Sequence, residues 1–294
     1  MTSSAAGTSK RASFGERARA AIARHGHLCV GVDPHEALLA SWGLTADAAG
    51  LREFGLRVVE AAAGRVGFVK PQVSFFERHG SAGFAALEDV LGAARSTGLL
   101  VIADAKRGDI GSTMDAYAAA WLTPGSPLEA DALTASPYLG VGALGGTFDH
   151  ALAHGKGVFV LAATSNPEAT ALQRATAPGG DTVSARVLGE VSARNALTAE
   201  AGEWGSLGFV IGATVDWSEA GLSPFTPSAP ILAPGFGHQG ARPDQLEAVY
   251  GAMSHAVVAS ESRSILSAGP DGIVDAIAAA ARAYAPVIEG STVD

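Results

Sequence analysis

The sequence predicts a single (β/α)8 barrel, the TIM-barrel architecture of the α/β class. Of its 294 residues 48% are hydrophobic, which is enough apolar material for one large core. Short apolar runs that end at turn residues occur eight times, and Ala-rich segments with helical spacing of apolar residues lie between several of them. This alternation is typical of a closed barrel, although an open doubly wound sheet would look similar locally.

The predicted strands are mostly hydrophobic on consecutive residues, which is typical of parallel strands that are covered on both faces. They span residues 28–33, 67–72, 99–104, 132–138, 157–164, 207–214, 230–236 and 255–260. The predicted helices span residues 51–63, 83–94, 114–122, 185–201 and 273–283. We expect one barrel domain over residues 15–286, a flexible N-terminal tail over 1–14 that leads into a helix, and a C-terminal tail over 287–294.

Composition excludes several classes of partner. The net charge is -9 and no basic run occurs, so we expect no nucleic-acid polymer as a partner. No apolar stretch reaches the roughly 18 residues that a membrane span needs, and the first 24 residues lack an apolar signal core. The single Cys29 excludes an intrachain disulfide, and its apolar surroundings predict a buried, inert thiol in the cytoplasm. A transit peptide at the basic, Ser-containing N-terminus stays an alternative.

Polar residues cluster at the predicted carboxyl ends of the strands, where the active site of a (β/α)8 barrel is built. They are Asp33, Lys70, Asp104, Lys106, Ser165, Gln239 and Arg263. The polar segment 173–184 contains Pro178, Gly179 and Gly180 and is long enough for a lid, although a disordered surface loop fits equally well. The histidines show no zinc-site spacing, so we expect no metal.

The segment 104–113, Asp-Ala-Lys-Arg-Gly-Asp-Ile-Gly-Ser-Thr, directly follows an apolar strand. Side chains two residues apart on a strand share a face, so Asp104 and Lys106 can both point into the barrel mouth. A solvated loop with a surface ion pair is the alternative interpretation.

This segment resembles the Asp-x-Lys-x-x-Asp-Ile signature of the orotidine 5'-phosphate decarboxylase family. Five further segments resemble that family's strand-end motifs and occur in the same order. They are Gly31-Val32-Asp33, Val69-Lys70-Pro71-Gln72, Thr164-Ser165-Asn166-Pro167, Pro234-Gly235-Phe236-Gly237-His238-Gln239-Gly240 and Ser262-Arg263-Ser264-Ile265. Only the segment 104–113 is specific on its own, but six ordered matches are specific together. The chain length and the Lys-Arg-Gly-Asp-Ile-Gly form are similar to the longer bacterial subgroup.

The resemblance implies a homodimeric enzyme that converts orotidine 5'-monophosphate to uridine 5'-monophosphate and carbon dioxide in de novo pyrimidine biosynthesis, with no metal and no cofactor. It also implies a catalytic network of alternating charges, formed by Lys70, Asp104, Lys106 and, from the neighbouring subunit, Asp109. The substrate-binding residues that it implies are Thr113 across the interface, Asp33 and Lys70 at the ribose, Ser165 at the pyrimidine, and Gln239 and Arg263 at the phosphate.

These residue types suit such a reaction. Loss of carbon dioxide from C6 of orotate leaves electron density orthogonal to the ring π-system, so the base offers no electron sink. A protonated Lys106 near C6 can stabilise this charge and then deliver the replacing proton. Two positions depart from the commonest family pattern, His238 in the phosphate loop and Ala105 where an aromatic residue is frequent.

Two other functions remain open at this stage. One is a magnesium-dependent sugar-phosphate decarboxylase or synthase of the same superfamily, which shares the Asp-x-Lys-x-x-Asp pattern. Such relatives lack the motif at residues 164–167, and Lys70 favours the nucleotide enzyme. The other is a non-catalytic nucleotide-binding barrel, which would gain little from burying carboxylates near an anionic ligand.

Overall fold

The computed structural model describes residues 12–285, and within them eight parallel strands form a closed barrel in which each strand pairs with the next along the chain. The strands are β1 (Leu28–Val32), β2 (Phe68–Pro71), β3 (Leu100–Arg107), β4 (Ala132–Ala135), β5 (Gly157–Ala163), β6 (Leu207–Ile211), β7 (Ile231–Pro234) and β8 (Val257–Glu261). Pairing of β1 with β8 closes the barrel, which confirms the predicted (β/α)8 fold and excludes the open sheet.

Helices surround this barrel and confirm all five predicted helical segments. They are α1 (Phe14–His25), α2 (Glu36–Ser41), α3 (Ala48–Ala62), α4 (Val73–Glu77), α5 (Gly80–Ser96), α6 (Gly111–Leu122), α7 (Gly145–Ala153), α8 (Thr170–Gln173), α9 (Val183–Thr198), α10 (Leu246–Tyr250), α11 (Arg263–Leu266) and α12 (Gly269–Ala283). The helices that the pattern did not predict are mostly short. Among the described residues, none of the helices combines the length and the apolar content that a bilayer span requires.

The barrel interior follows the two-residue period of its strands. Every strand contributes an inward apolar residue to one cluster, whose members are Cys29, Phe68, Leu100, Ile102, Ala132, Phe159, Val210, Leu232 and Val258. A second, larger apolar cluster lies between the outer faces of the strands and the helices. Burial on both faces explains why the strands are hydrophobic on consecutive residues. It also raises the pKa of the buried Cys29 thiol to about 12, which agrees with the predicted inert cysteine.

Helix α1 closes the amino-terminal end of the barrel. Phe14, Ala18 and Ile22 join the interior cluster, and the ring of Phe14 packs edge-on against Phe159 with centroids 5.8 Å apart. The hydroxyl of Ser13 accepts a hydrogen bond from the backbone N–H of Glu16 and so caps the helix. Helix α1 thus includes Phe14, the last residue of the predicted flexible tail. Residues 1–11 and the predicted C-terminal tail lie outside the described residues.

Candidate active site

The inward positions of the strands change from apolar to polar towards the carboxyl-terminal end of the barrel. Two residues beyond the inward apolar residues lie Lys70 on β2, Asp104 on β3, Thr134 on β4 and Ser260 on β8. Because side chains two residues apart share a face, these polar groups stand directly above the apolar interior. The strands thus bring polar groups that are distant in sequence to one mouth of the barrel.

Lys70, Asp104 and Lys106 form a continuous chain of alternating charges in this mouth. The Asp104 carboxylate accepts from Lys106 Nζ at 2.6 Å through Oδ1 and from Lys70 Nζ at 2.9 Å through Oδ2. On its other side, Lys70 Nζ lies 4.0 Å from Asp33 Oδ1. The side chains of Asp104 and Lys106 therefore contact each other in this mouth.

Burial and mutual attraction oppose each other within this network. Burial alone would lower the pKa of Lys70, but the carboxylates of Asp104 and Asp33 outweigh it and raise that pKa above its ordinary value. Burial would likewise raise the pKa of Asp104, but the two lysine ammonium groups hold it well below its ordinary range. Both groups are therefore ionised at neutral pH. Their charges are preorganised in a site that is largely removed from solvent.

Lys106 differs from Lys70 in its backbone and its exposure. Its φ of 49° lies in the left-handed region, and it is the only non-glycine residue with positive φ among those described. That conformation costs about 1–2 kcal/mol. The hydroxyl of Thr134 offsets part of this cost by accepting the Lys106 N–H at 2.9 Å, and it donates to Asp104 Oδ1 at 2.9 Å. The Lys106 side chain remains 46% exposed, against 7% for Lys70.

The mouth contains a cavity of about 300 Å³. Its floor is apolar and includes Leu161, Val210 and Leu232. Six of the nine predicted site residues line it, namely Asp33, Lys70, Asp104, Lys106, Gln239 and Arg263. Among the described residues, the buried Oδ1 of Asp33 has no hydrogen-bond partner, so this oxygen is available to a hydroxyl donor in the cavity.

One end of the cavity is formed by the turn after β7 together with the start of α11. Gly235, Gly237 and Gly240 all have positive φ, and a Cβ at Gly237 would overlap the side chains of Glu261 and Ser264. Glycine is therefore required at residue 237 for both conformation and space. The turn presents Gln239 and His238 beside Arg263, whose Nη1 lies 2.6 Å from His238 Nε2.

The other three predicted site residues lie outside this cavity. Asp109 accepts the adjacent Ile110 N–H at 2.8 Å, and Thr113 is exposed on α6. Ser165 lines a small neighbouring cavity, whereas Thr164 beside it lines the main one. Within one subunit, Asp109 therefore does not extend the network of Lys70, Asp104 and Lys106.

Sequence patterns missed several residues that shape the site, and Gln173 is the clearest case. Its side-chain carbonyl accepts the Thr164 N–H at 2.8 Å, and its amide donates to Thr164 Oγ1 at 2.9 Å. This double contact ties α8 to the cavity wall. Residues 174–182 then lead to α9, within the segment predicted as a lid. Nothing in the local sequence around Gln173 indicates this pairing. Thr134, which also contacts the site, could have been noticed as a polar residue in an apolar strand.

Comparisons with known proteins agree with this geometry. The model of the orotidine 5'-phosphate decarboxylase / HUMPS family matches residues 26–279. Orotidine 5'-phosphate decarboxylase of Salinispora arenicola is 53% identical over 269 residues, which are 92% of this chain and 94% of that protein. That of Corynebacterium efficiens is 51% identical over 260 residues, 88% of this chain and 91% of that protein.

Solved structures agree as well. A crystal structure from Streptomyces avermitilis superposes with a TM-score of 0.87 at 48% identity, covering 94% of this chain and 95% of that one. Leishmania donovani OMP decarboxylase superposes with a TM-score of 0.73 at 29% identity, covering 92% and 98%. The extent of the family match and the identity to these relatives lead to one conclusion. The chain belongs to the orotidine 5'-phosphate decarboxylase / HUMPS family.

Proposed function

We propose that this chain is an orotidine 5'-phosphate decarboxylase that releases carbon dioxide from orotidine 5'-monophosphate and forms uridine 5'-monophosphate in pyrimidine biosynthesis. The observation that carries the proposal is the shared carboxylate of Asp104, which holds the half-exposed ammonium of Lys106 at the cavity beside the buried ammonium of Lys70. About 50% identity to curated decarboxylases over most of the chain supports it further.

The arrangement fits the main difficulty of this reaction. Breaking the C6–carboxyl bond leaves an electron pair on C6 that the ring cannot delocalise, so a fixed positive charge must stabilise it. Lys106 can supply this charge and then donate a proton from Nζ to C6. Lys106 Nζ already donates a hydrogen bond to Asp104 in the substrate-free site. Its position relative to C6 is therefore set before the substrate binds.

Asp104 has a second effect in this proposal. Its low pKa keeps it negatively charged, so it opposes a substrate carboxylate that lies nearby. That repulsion falls as the carboxyl group leaves as neutral carbon dioxide, while the attraction between C6 and Lys106 grows. Both changes favour the transition state over the bound substrate.

The remaining cavity residues suit different parts of the nucleotide. Oδ1 of Asp33, which accepts no hydrogen bond from the described residues, and the ammonium of Lys70 suit ribose hydroxyls, and Thr164 with the adjacent Ser165 suits the pyrimidine. Gln239 and Arg263 suit the phosphate at the end formed after β7 and β8, where phosphate sites are common in this fold. Phosphate binding far from C6 can contribute to the rate by driving closure of the loops.

The metal-dependent alternative fits this cavity less well. Lys70 Nζ lies between the carboxylates of Asp33 and Asp104, which are the oxygen ligands that a magnesium ion would need there. The two negative charges are thus already balanced by an ammonium group. We therefore propose decarboxylation without a metal or a cofactor.

We also propose that the active enzyme is a cytoplasmic homodimer with shared active sites. Three large apolar side chains are exposed next to each other along the barrel mouth: Ile110 follows β3, and Tyr138 and Leu139 follow β4. The ends of these two strands are joined by a hydrogen bond from the Ser136 N–H to the Arg107 carbonyl. Such an apolar surface favours a partner. A second subunit on this surface would approach Lys106 with its own Asp109 and Thr113.

The direct test is to mix the protein with orotidine 5'-monophosphate and to follow the ultraviolet absorbance of the pyrimidine. We expect turnover, and we expect the same rate after exhaustive treatment with EDTA. Absence of turnover would contradict the decarboxylase proposal and favour the non-catalytic barrel. Activity that is lost in EDTA and restored by magnesium would contradict the metal-free mechanism.

Replacement of Lys106 by alanine tests its proposed role. The change removes both the charge at C6 and the proton donor, so the catalytic loss should exceed the roughly 10²- to 10⁴-fold that is typical of general acid catalysis alone. Binding of uridine 5'-monophosphate should weaken far less, because the phosphate and ribose contacts remain. Arg57→Ala, which removes an exposed cation on α3, is the matched control. Near-normal turnover by folded Lys106→Ala protein would refute the assignment.

Mixing two inactive variants tests the shared site. A subunit with Lys106→Ala still offers Asp109, and a subunit with Asp109→Ala still offers Lys106. In a mixed dimer one of the two sites regains both residues, so equal mixing should restore about a quarter of the wild-type activity. Each variant taken alone through the same subunit-exchange procedure is the control. Proven subunit exchange without recovered activity would contradict a site shared between subunits.

A further inference from the structure

Strand β3 contains a bulge opposite Thr134 of β4. Regular pairing of the two strands stops before this residue and resumes after it, at Ala103 with Leu133 and at Arg107 with Ala135. Between these pairs β3 advances from residue 103 to 107 while β4 advances only from 133 to 135, so residues 104–106 lie opposite Thr134 alone. Such a bulge interrupts the backbone ladder and can redirect a side chain beside an active site. Asp104 and Lys106 both lie in it.

The hydroxyl of Thr134 makes two hydrogen bonds within this bulge. It accepts the backbone N–H of Lys106 at 2.9 Å and donates to Asp104 Oδ1 at 2.9 Å. The directions follow from the partners, because a backbone N–H can only donate and an ionised carboxylate can only accept. The single proton of the hydroxyl is therefore committed to Asp104. Its oxygen takes the N–H that regular pairing would direct to a backbone carbonyl of the neighbouring strand.

These contacts form a closed ring that holds Lys106 at both ends. Asp104 Oδ1 accepts from Lys106 Nζ at 2.6 Å as well as from the Thr134 hydroxyl. Thr134 thus contacts Lys106 at its backbone, and Asp104 contacts it at the end of its side chain. The φ of 49° at Lys106 is one that side chains rarely adopt, so the surrounding contacts must stabilise it. The ring supplies such contacts from β4.

Thr134 lies beneath the cavity and not in its wall. Its exposed fraction is 0%, and among the described residues it is not one of those that line the cavity. Lys106, in contrast, lines the cavity. A ligand in the cavity therefore contacts Lys106 but not Thr134. Any effect of the Thr134 hydroxyl on a reaction there must act through Asp104 and Lys106.

We propose that Thr134 is a positioning residue for the decarboxylation, which holds the bulge of β3 so that the Lys106 ammonium points at C6 of the substrate. This inference rests on the proposed function, because it concerns the proposed proton donor. Loss of the hydroxyl would leave the Lys106 N–H without its acceptor and would remove one donor from Asp104. The backbone of Lys106 would then shift towards another acceptor. A misplacement of about 1 Å can cost roughly 10²-fold in rate.

Thr134→Val tests this role, because valine has nearly the shape of threonine but lacks the hydroxyl. We expect kcat for orotidine 5'-monophosphate to fall by roughly 10²-fold. KM should change little, and so should the dissociation constant of uridine 5'-monophosphate measured by calorimetry, since Asp33, Gln239 and Arg263 are untouched. A general loss of structure would instead weaken binding and turnover together.

Three further variants complete the comparison. Thr134→Ser keeps the hydroxyl and should recover most of the lost kcat. Thr134→Ala removes the hydroxyl without placing a methyl group against the Asp104 carboxylate, so it gives a second test if Thr134→Val folds poorly, and its kcat should also fall. Thr147→Val is the matched control, because Thr147 is fully buried on α7 and its hydroxyl has no hydrogen-bond partner within residues 12–285. We expect it to keep the wild-type kcat.

A crystal structure of Thr134→Val gives a readout that does not depend on turnover. We expect Lys106 Nζ to move by about 1 Å or more from the position in which it contacts Asp104 Oδ1. A Lys106 ammonium that keeps its wild-type position in this variant would overturn the inference.

Wild-type kcat in Thr134→Val or Thr134→Ala would also overturn the inference, and so would an equal loss of kcat in Thr134→Ser. Each of these results leaves the proposed function intact as long as the wild-type protein turns over orotidine 5'-monophosphate. A wild-type protein without turnover would contradict the proposed function, and this inference with it.

Discussion

Two lysine ammonium groups share the carboxylate of Asp104, and the rest of the site is arranged around this interaction. One of its oxygens holds the buried Lys70 and the other holds the half-exposed Lys106. Without Asp104, Lys70 would lose its closest counter-charge in a buried position, which typically costs about 3–5 kcal/mol. Lys106 would lose the contact that aims it. Stability of the barrel mouth and, in the proposed mechanism, the position of Lys106 therefore depend on one carboxylate.

The barrel makes this interaction possible through its period-two strands. Apolar residues such as Phe68 and Ile102 fill the interior, and Lys70 and Asp104 follow them on the same inward face. The apolar floor limits solvent access from below, which strengthens each electrostatic contact above it. In the proposed function, Gln239 and Arg263 bind the phosphate and the network of Lys70, Asp104 and Lys106 stabilises charge, so different residues of one cavity carry the two tasks.

Local patterns predicted the eight strands and the polar strand ends, because both depend on short-range periodicity and on the rules of the fold. They could not predict that Lys106 leaves regular strand geometry, because the hydroxyl that accepts its N–H belongs to Thr134 on the next strand. The Gln173 contact and the His238 contact are tertiary pairings of the same kind. Asp109 lies outside the single-subunit cavity, and its proposed role depends on a second chain.

The shared carboxylate of Asp104 is tested most directly by measuring the ionisation of Asp104 in the folded protein. Its carboxyl carbon can be followed by ¹³C NMR as pH is lowered, with Asp104→Asn identifying the signal. The depressed pKa means that Asp104 stabilises the fold above its unfolded pKa, and that this contribution is lost only as pH falls through the lower folded-state pKa. We expect Asp104 to stay ionised below the ordinary aspartate pKa of about 3.9 for as long as the protein remains folded. A midpoint at or above that value would contradict a carboxylate shared by two lysines.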